Sequence, residues 1–239
     1  MNENISKRFW SNKGYFSKNG KSAFTLAEVL ITLGIIGIVA AITIPSLIAK
    51  YKQRSYVIAW RNAFSSLAQA AKMMQEAEEQ PFYDAGGEFQ SQFEYNLANK
   101  FSEYIKTGKV CHSKKFVEEG CSPVAYPYYS LEGRQLGANM GDMGAGASCL
   151  TFLNGGVACF DSIIILVDVN GYSKPNTVGK DIFYALFDFD NYTVRPAVGE
   201  NPSWGATDGV LVKSTVGDGT CQKEDNGYGC SKYYLHNLP

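Results

Sequence analysis

The chain begins polar, turns apolar for one long stretch, and then changes period twice. From Phe24 to Leu47 the sequence FTLAEVLITLGIIGIVAAITIPSL holds a single ionisable side chain, Glu28. As a helix this stretch is about 36 Å long, enough to cross a hydrocarbon core of about 30 Å. Ala49 to Glu79 contains no Gly or Pro, and Tyr56, Trp60, Ala63, Phe64, Leu67, Ala71 and Met74 recur at spacings of three and four. That spacing predicts an amphipathic helix with one apolar face. Joined, Phe24 to Glu79 would make a helix of about 84 Å, stopped by Pro81 and Gly86-Gly87. Its stripe is too narrow to be a complete core, so a sheet from the remaining chain is expected to pack on it. A coiled-coil dimer is the alternative, but strict heptads are absent.

Past residue 81 the apolar runs shorten. Phe89 to Tyr104 predicts a short second helix, and Ser148–Leu153, Val157–Phe160, Ile163–Val169, Ile182–Phe189 and Gly209–Val216 predict strands. Asn154-Gly155-Gly156 reads as a hairpin turn, and Gly133 to Gly146 as a mobile loop. The expected fold class is α+β, a long N-terminal helix packed on an antiparallel sheet. Four segments follow: a leader over residues 1–23, a transmembrane half of the long helix over 24–48, an amphipathic half over 49–80, and a globular head over 81–239.

Charge refines this outline. The 22 basic and 23 acidic side chains leave a net charge of -1, which gives no electrostatic footprint for nucleic acid. The leader is basic, with Lys7, Arg8, Lys13, Lys18 and Lys21 against Glu3. A secretory signal places its small-residue cleavage site after the apolar region and loses that region. Here Ser22-Ala23 comes first, so a cut there removes the leader and keeps the membrane helix.

Ala23-Phe24-Thr25-Leu26-Ala27-Glu28, followed by an apolar helix with Gly34, Gly37 and Pro45, resembles the class III signal of type IV pilins and type II secretion pseudopilins. The resemblance covers about 25 residues. It implies that prepilin peptidase cuts between Ala23 and Phe24, that the new amino group of Phe24 is methylated, and that the mature chain starts FTLAE. Ala23 departs from the family's usual Gly, which implies slower processing. The resemblance also implies a pilin-like fold.

Glu28 marks a function without that resemblance. An acidic residue well inside a membrane helix costs roughly 3 kcal/mol on insertion scales and calls for a partner. No basic residue lies within the span. Cleavage would free the amine of Phe24 one helical turn away. The resemblance implies that Glu28 accepts the amine of the adjacent subunit and sets axial register during filament assembly; a hydrated Glu at the membrane surface is the competing reading. Gly34 and Gly37, with Ala40 and Ala41, read either as a small-residue face for close helix contacts or, with Pro45, as a weakened stretch of helix. The resemblance implies a segment that stretches in the assembled filament.

The six cysteines, Cys111, Cys121, Cys149, Cys159, Cys221 and Cys230, all follow the span. An even number on one side of a membrane segment reads as disulfides in an oxidising compartment. Zinc competes poorly, since there is no Cys-x-x-Cys pair and the only histidines are His112 and His236. Fifteen pairings are open to six cysteines; the short separations favour the neighbours Cys111–Cys121, Cys149–Cys159 and Cys221–Cys230. With the basic leader held on the cytoplasmic side, residues beyond 48 are expected to face outward; the resemblance implies a single-pass protein of the bacterial inner membrane, its head periplasmic or extracellular after assembly.

No cofactor motif is present. Calcium is the one candidate ion, through Asp168 and Asn170 at the end of a strand with Asn176 and Asp181 nearby, because hard cations want several oxygen ligands. Ordinary turn chemistry accounts for the same residues, and Asp181 fits the cap of a short helix. Asp218, Glu224 and Asp225 form a second acidic group that reads as a solvated loop. No Walker loop, nucleophile elbow or His-Glu-x-x-His appears, and His112 is expected in a polar loop, so no enzymatic activity is expected. The function expected is a structural subunit of a type IV pilus or type II secretion filament. Its expected partners are other pilin-like subunits, prepilin peptidase, an inner-membrane assembly platform and the membrane. A membrane-anchored binding module or tip adhesin, recognising a ligand through the head loops, is the alternative.

Overall fold

The computed structural model describes residues 24–77, 93–112, 115–140, 147–161, 163–188, 191–198, 221 and 227–237. Two compact units divide the chain, Met1–Ser46 and Leu47–Pro239. Helix α1 spans Leu26–Glu76, 51 residues with Pro45 inside it, so it begins two residues later and ends three earlier than the periodicity predicts. The expected stop signals at Pro81 and Gly86-Gly87 lie outside the described residues.

Within the second unit, the later part of α1 buries Val57, Trp60, Leu67, Ala70, Ala71 and Met74, at the three-and-four spacing an amphipathic helix needs. The amphipathic half and the head therefore share one compact unit. Helix α2, Phe93–Tyr104, supplies Leu97, Ala98 and Phe101 to the same core; the first residues of its predicted range lie outside the described ones.

Six strands form an antiparallel sheet in the order β1-β4-β5-β6-β7-β8. They are β1 Thr107–His112, β4 Ser148–Phe152, β5 Val157–Asp161, β6 Ile164–Asp168, β7 Ile182–Asp188 and β8 Thr193–Pro196. A separate pair, β2 Tyr128–Tyr129 and β3 Gln135–Gly137, makes a second small sheet. Of the segment expected as a mobile loop from Gly133 to Gly146, residues 133–140 hold β3 and the turn before it, and residues 141–146 lie outside the described residues. A turn closed by Gly133 N–H to Ser130 O at 2.9 Å leads into β3. The strand expected over Gly209–Val216 lies outside the described residues.

Side chains alternate across the large sheet as the period of two demands. Leu150, Ala158, Phe160, Ile165, Val167, Phe183, Ala185 and Phe187 face the helices. Cys149, Val157, Cys159, Ile164, Leu166, Ile182 and Tyr184 face a second core built with Phe116, Tyr126, Tyr128, Met140 and Tyr228. Because both faces are covered, β5 and β6 are buried at every position. That double cover explains why these strands read as unbroken apolar runs instead of alternating with polar residues.

Three disulfides tie the head: Cys111–Cys121, Cys149–Cys159 and Cys221–Cys230. Cys149 and Cys159 sit directly opposite each other on β4 and β5, and the hairpin between them turns through Gly155 at φ 89°. Non-reducing peptide mapping of the purified protein should recover these three local pairs, and a peptide joining Cys149 to Cys221 would contradict the arrangement.

A short helix that the sequence pattern does not announce, α3 Cys230–His236, closes the unit. Trp60 Nε1–H donates to Ser231 O at 3.0 Å, Arg61 Nε–H to Tyr234 O at 2.7 Å, and Tyr184 N–H to Ser231 Oγ at 2.9 Å. These bonds link α1, β7 and the C-terminal helix. The long helix and the antiparallel sheet make a pilin-like α+β arrangement.

Candidate functional site

The first turn of α1 carries the residues on which processing and assembly are expected to depend. Thr25 precedes the helix, and its hydroxyl and its N–H both donate to Glu28 Oε2 at 2.8 Å. In return Glu28 N–H donates to Thr25 Oγ1 at 3.2 Å. This is a capping box, a Thr and a Glu three residues apart that satisfy each other's backbone donors at a helix start. Glu28 therefore lies in the first turn of the helix, where its carboxylate also satisfies a backbone donor that otherwise lacks a partner. Thr25-Leu26-Ala27-Glu28 has the Thr-x-x-Glu spacing of that motif, so the signal for the cap lies in the sequence itself.

Beyond the cap, Leu30, Ile31, Leu33, Ile35, Ile36, Ile38, Val39, Ile42, Ile44 and Leu47 are all exposed. By length and composition α1 is able to cross a membrane. A Cβ placed on Gly34 or Gly37 would meet nothing within 4 Å, so within this chain both glycines leave open helix surface. The helix is unbroken at Pro45, with the Thr43 hydroxyl bonded back to Val39 O and the Ser46 hydroxyl to Thr43 O. Phe24 is exposed beside the helix start, and Ala23 lies outside the described residues.

The head holds a second concentration of chemistry. Asp168 ends β6 with no exposed surface, and Asp181, also fully buried, precedes β7. Asp168 Oδ1 accepts Asn170 N–H at 3.1 Å, and Oδ2 accepts the Tyr126 hydroxyl at 3.1 Å. Asp181 Oδ2 accepts Asn176 N–H at 2.9 Å, and Oδ1 accepts Thr177 N–H at 2.7 Å. Asp181 thus organises a loop and caps no helix. The loop is drawn tight: Gly171, at φ 64°, passes so close to the β4–β5 hairpin that a Cβ on it would lie 2.5 Å from Gly155 O.

The two carboxylates feel each other. Burial, then repulsion from Asp181, hold the Asp168 carboxyl well above its usual range. Burial also raises Asp181, against the pull of N–H bonds from Thr177 and Asn176 and of the Asn170 side chain. Tyr56 on α1 sits against the same group, its phenol pushed up by burial and then by the Asp181 charge. Among the described residues neither carboxylate has a Lys, Arg or His partner.

His112 ends β1 rather than sitting in a loop. Its Nδ1 lies 2.9 Å from Glu119 Oε1, and its N–H donates to Glu119 Oε2 at 2.7 Å, an arrangement that holds the strand to the turn after it. The acidic group Asp218, Glu224 and Asp225 lies outside the described residues.

The long apolar helix with a capped, exposed start and the antiparallel head define a pilin-like class of protein. The family model described as prokaryotic N-terminal methylation motif matches residues 18–44. The chain therefore carries the prepilin-type signal of type IV pilins and pseudopilins, which points to a membrane-anchored structural subunit processed by prepilin peptidase. No curated protein and no solved structure matches this chain.

Proposed function

We propose that this protein is a structural subunit of a filament of the type IV pilus or type II secretion class. Prepilin peptidase cuts between Ala23 and Phe24, the Phe24 amine is methylated, and the mature chain assembles through α1 with other pilin-like subunits on an inner-membrane platform. Before assembly the protein is a single-pass inner-membrane protein, its leader cytoplasmic and its disulfide-tied head on the opposite side. The observation that carries this reading is the methylation motif at residues 18–44 running directly into a helix whose apolar side chains from Leu30 to Leu47 are exposed. Uncovered apolar surface of that extent needs lipid or other subunits.

The test is mass spectrometry of the protein from sheared cell-surface filaments and from membranes. The expected N-terminal peptide begins at Phe24 and carries one methyl group on its amine. A protein that still begins with Met1, or that begins beyond Leu47, would contradict the reading.

A further inference from the structure

We propose that Lys50, Lys52 and Arg54 of α1, with Lys180 of the loop joining β6 to β7, form a basic collar that binds the phosphate headgroups of anionic phospholipids on the leaflet facing the head. The inference rests on the membrane span proposed above, and depth is its first support. Val29 to Ile48 holds no charged side chain, and as a helix it is about 30 Å long, the thickness of a hydrocarbon core. Lys50 to Arg54 then lie about 3–9 Å past the hydrocarbon edge, at the depth of the polar headgroups.

Charge is the second support. Lys50, Tyr51, Lys52 and Arg54 are all exposed. Between Glu28 and Glu76, α1 has no acidic residue to offset them. Among the described residues Lys50, Lys52 and Lys180 make no ion pair. Asp168 and Asp181, in the same loop region as Lys180, are buried and bonded to the Tyr126 hydroxyl and to backbone N–H groups, so they add no carboxylate to this surface. Positive charge beside a span ordinarily marks the cytoplasmic side, and this cluster lies on the other, where it needs a cause.

Arrangement decides between lipid and protein as the partner. At about 100° per residue, Lys50 and Arg54 share one side of α1 while Lys52 projects from the opposite one. Gln53 takes the side between, where its Nε2–H reaches Lys180 O at 3.5 Å, and Lys180 is itself exposed. The charges thus surround the helix instead of forming a single stripe. A protein partner takes one contiguous face, whereas headgroups meet a spanning helix from every side. Tyr51, 73% exposed, adds an aromatic ring of the kind enriched at membrane interfaces. Lysine offers a phosphate a point charge, and Arg54 offers a planar fork able to hold two of its oxygens.

The test reconstitutes full-length protein in phosphatidylcholine bilayers containing a minority of phosphatidylglycerol, with either lipid spin-labelled for electron paramagnetic resonance. The phosphatidylglycerol probe should associate about fivefold more strongly than the phosphatidylcholine probe, the worth of one basic residue near a charged surface. That preference should vanish at about 1 M salt, where the screening length is about 3 Å. Replacing Lys50, Lys52 and Arg54 together by glutamine should cut it by about twofold or more, and Lys180→Gln should cut it less. All four residues are exposed, so these variants should fold, which near-ultraviolet circular dichroism checks. The leader's basic residues are common to every protein compared, so the difference reports the collar. Equal association of the two probes with inserted wild-type protein overturns the collar, as does a preference that survives salt or the triple variant. A triple variant that keeps the preference yet drops out of filaments assigns these charges to a neighbouring subunit instead. Resistance to carbonate extraction reports the span separately, so lost lipid preference in an inserted protein leaves the proposed function standing.

Discussion

Replacing Glu28 by alanine is expected to leave the protein in the membrane and to remove it from filaments. Two roles compete for this carboxylate, and they predict different variants. The first is the capping box with Thr25, whose loss costs about 1 kcal/mol. That is too little to unfold a 51-residue helix or to expel its apolar face from lipid. The second is pairing with the free amine of Phe24 on a neighbouring subunit, where losing one partner strands the other charge at an apolar contact and costs about 3–5 kcal/mol. Because every subunit in a filament repeats the contact, the loss multiplies, and filament yield should fall by more than about a hundredfold. Glu28→Gln separates the roles, since Gln still serves in a capping box but carries no charge. If pairing governs assembly, Gln fails as completely as Ala, while both variants fractionate with membranes and are cleaved after Ala23. Normal filaments from Glu28→Gln would leave only the cap as the carboxylate's role.

That experiment also shows what the first turn conceals from a purely compositional reading. Counting charges in Phe24–Leu47 finds one Glu and treats it as an expensive intruder. Counting from the helix start finds Thr and Glu at the spacing of a cap, where the same Glu satisfies backbone donors that otherwise lack partners. Composition gave the anomaly, and only the position of the helix start gave its local cause. The oxygen cluster in the head was half legible for a related reason. Asp168, Asn170, Asn176 and Asp181 all stand out by type as oxygen-bearing residues, and ordinary turn chemistry accounts for the same residues. What residue type does not encode is the tight local turn that brings the Asn176 and Thr177 N–H groups onto the Asp181 carboxylate.

The fold divides along the same line. Strands β4, β5, β6 and β7 and the buried face of α1 were readable because burial on both faces of the sheet, or on one stripe of a helix, forces apolar residues into a fixed period. Strand β1, TGKVCH, is polar and edge-placed, buried only at Cys111. Its pairing with β4 and the Cys111–Cys121 bond hold it in the sheet, and neither leaves an apolar period. Strands β2 and β3 have two and three residues, too few for any period. Helix α3, of seven residues, owes its place to Trp60, Arg61, Tyr184 and the Cys221–Cys230 bond. Local propensity marks elements that fold from their own pattern; these form because something distant holds them.

Trp60 ties α1 both to α3 and to β7, and its replacement by alanine should be the most destabilising single change in the head. Its ring is fully buried and stacks on Phe183 of β7 at a centroid distance of 5.1 Å and 16° between planes, with Phe64 tilted against it at 5.4 Å. Truncation removes that packing and leaves a cavity, a combination that costs about 3–5 kcal/mol for a buried Trp. It also removes the Nε1–H bond to Ser231 O that ties α1 to α3. Since head stabilities generally amount to about 5–15 kcal/mol, the Trp60→Ala head should be partly unfolded under conditions that leave the wild type native. The membrane half of α1 does not depend on this packing, so the variant should still insert and lose its leader. Urea titration of the full-length protein in detergent, followed by near-ultraviolet circular dichroism, should show a greatly lowered midpoint. Trp60→Phe removes the Nε1–H bond but keeps an aromatic ring against Phe183, and should cost less than the alanine variant, about 1–3 kcal/mol. A Trp60→Ala protein with the wild-type midpoint would mean that α1 and the sheet hold together without this contact, and that Arg61, Tyr184 and the Cys221–Cys230 bond suffice to keep α3 docked.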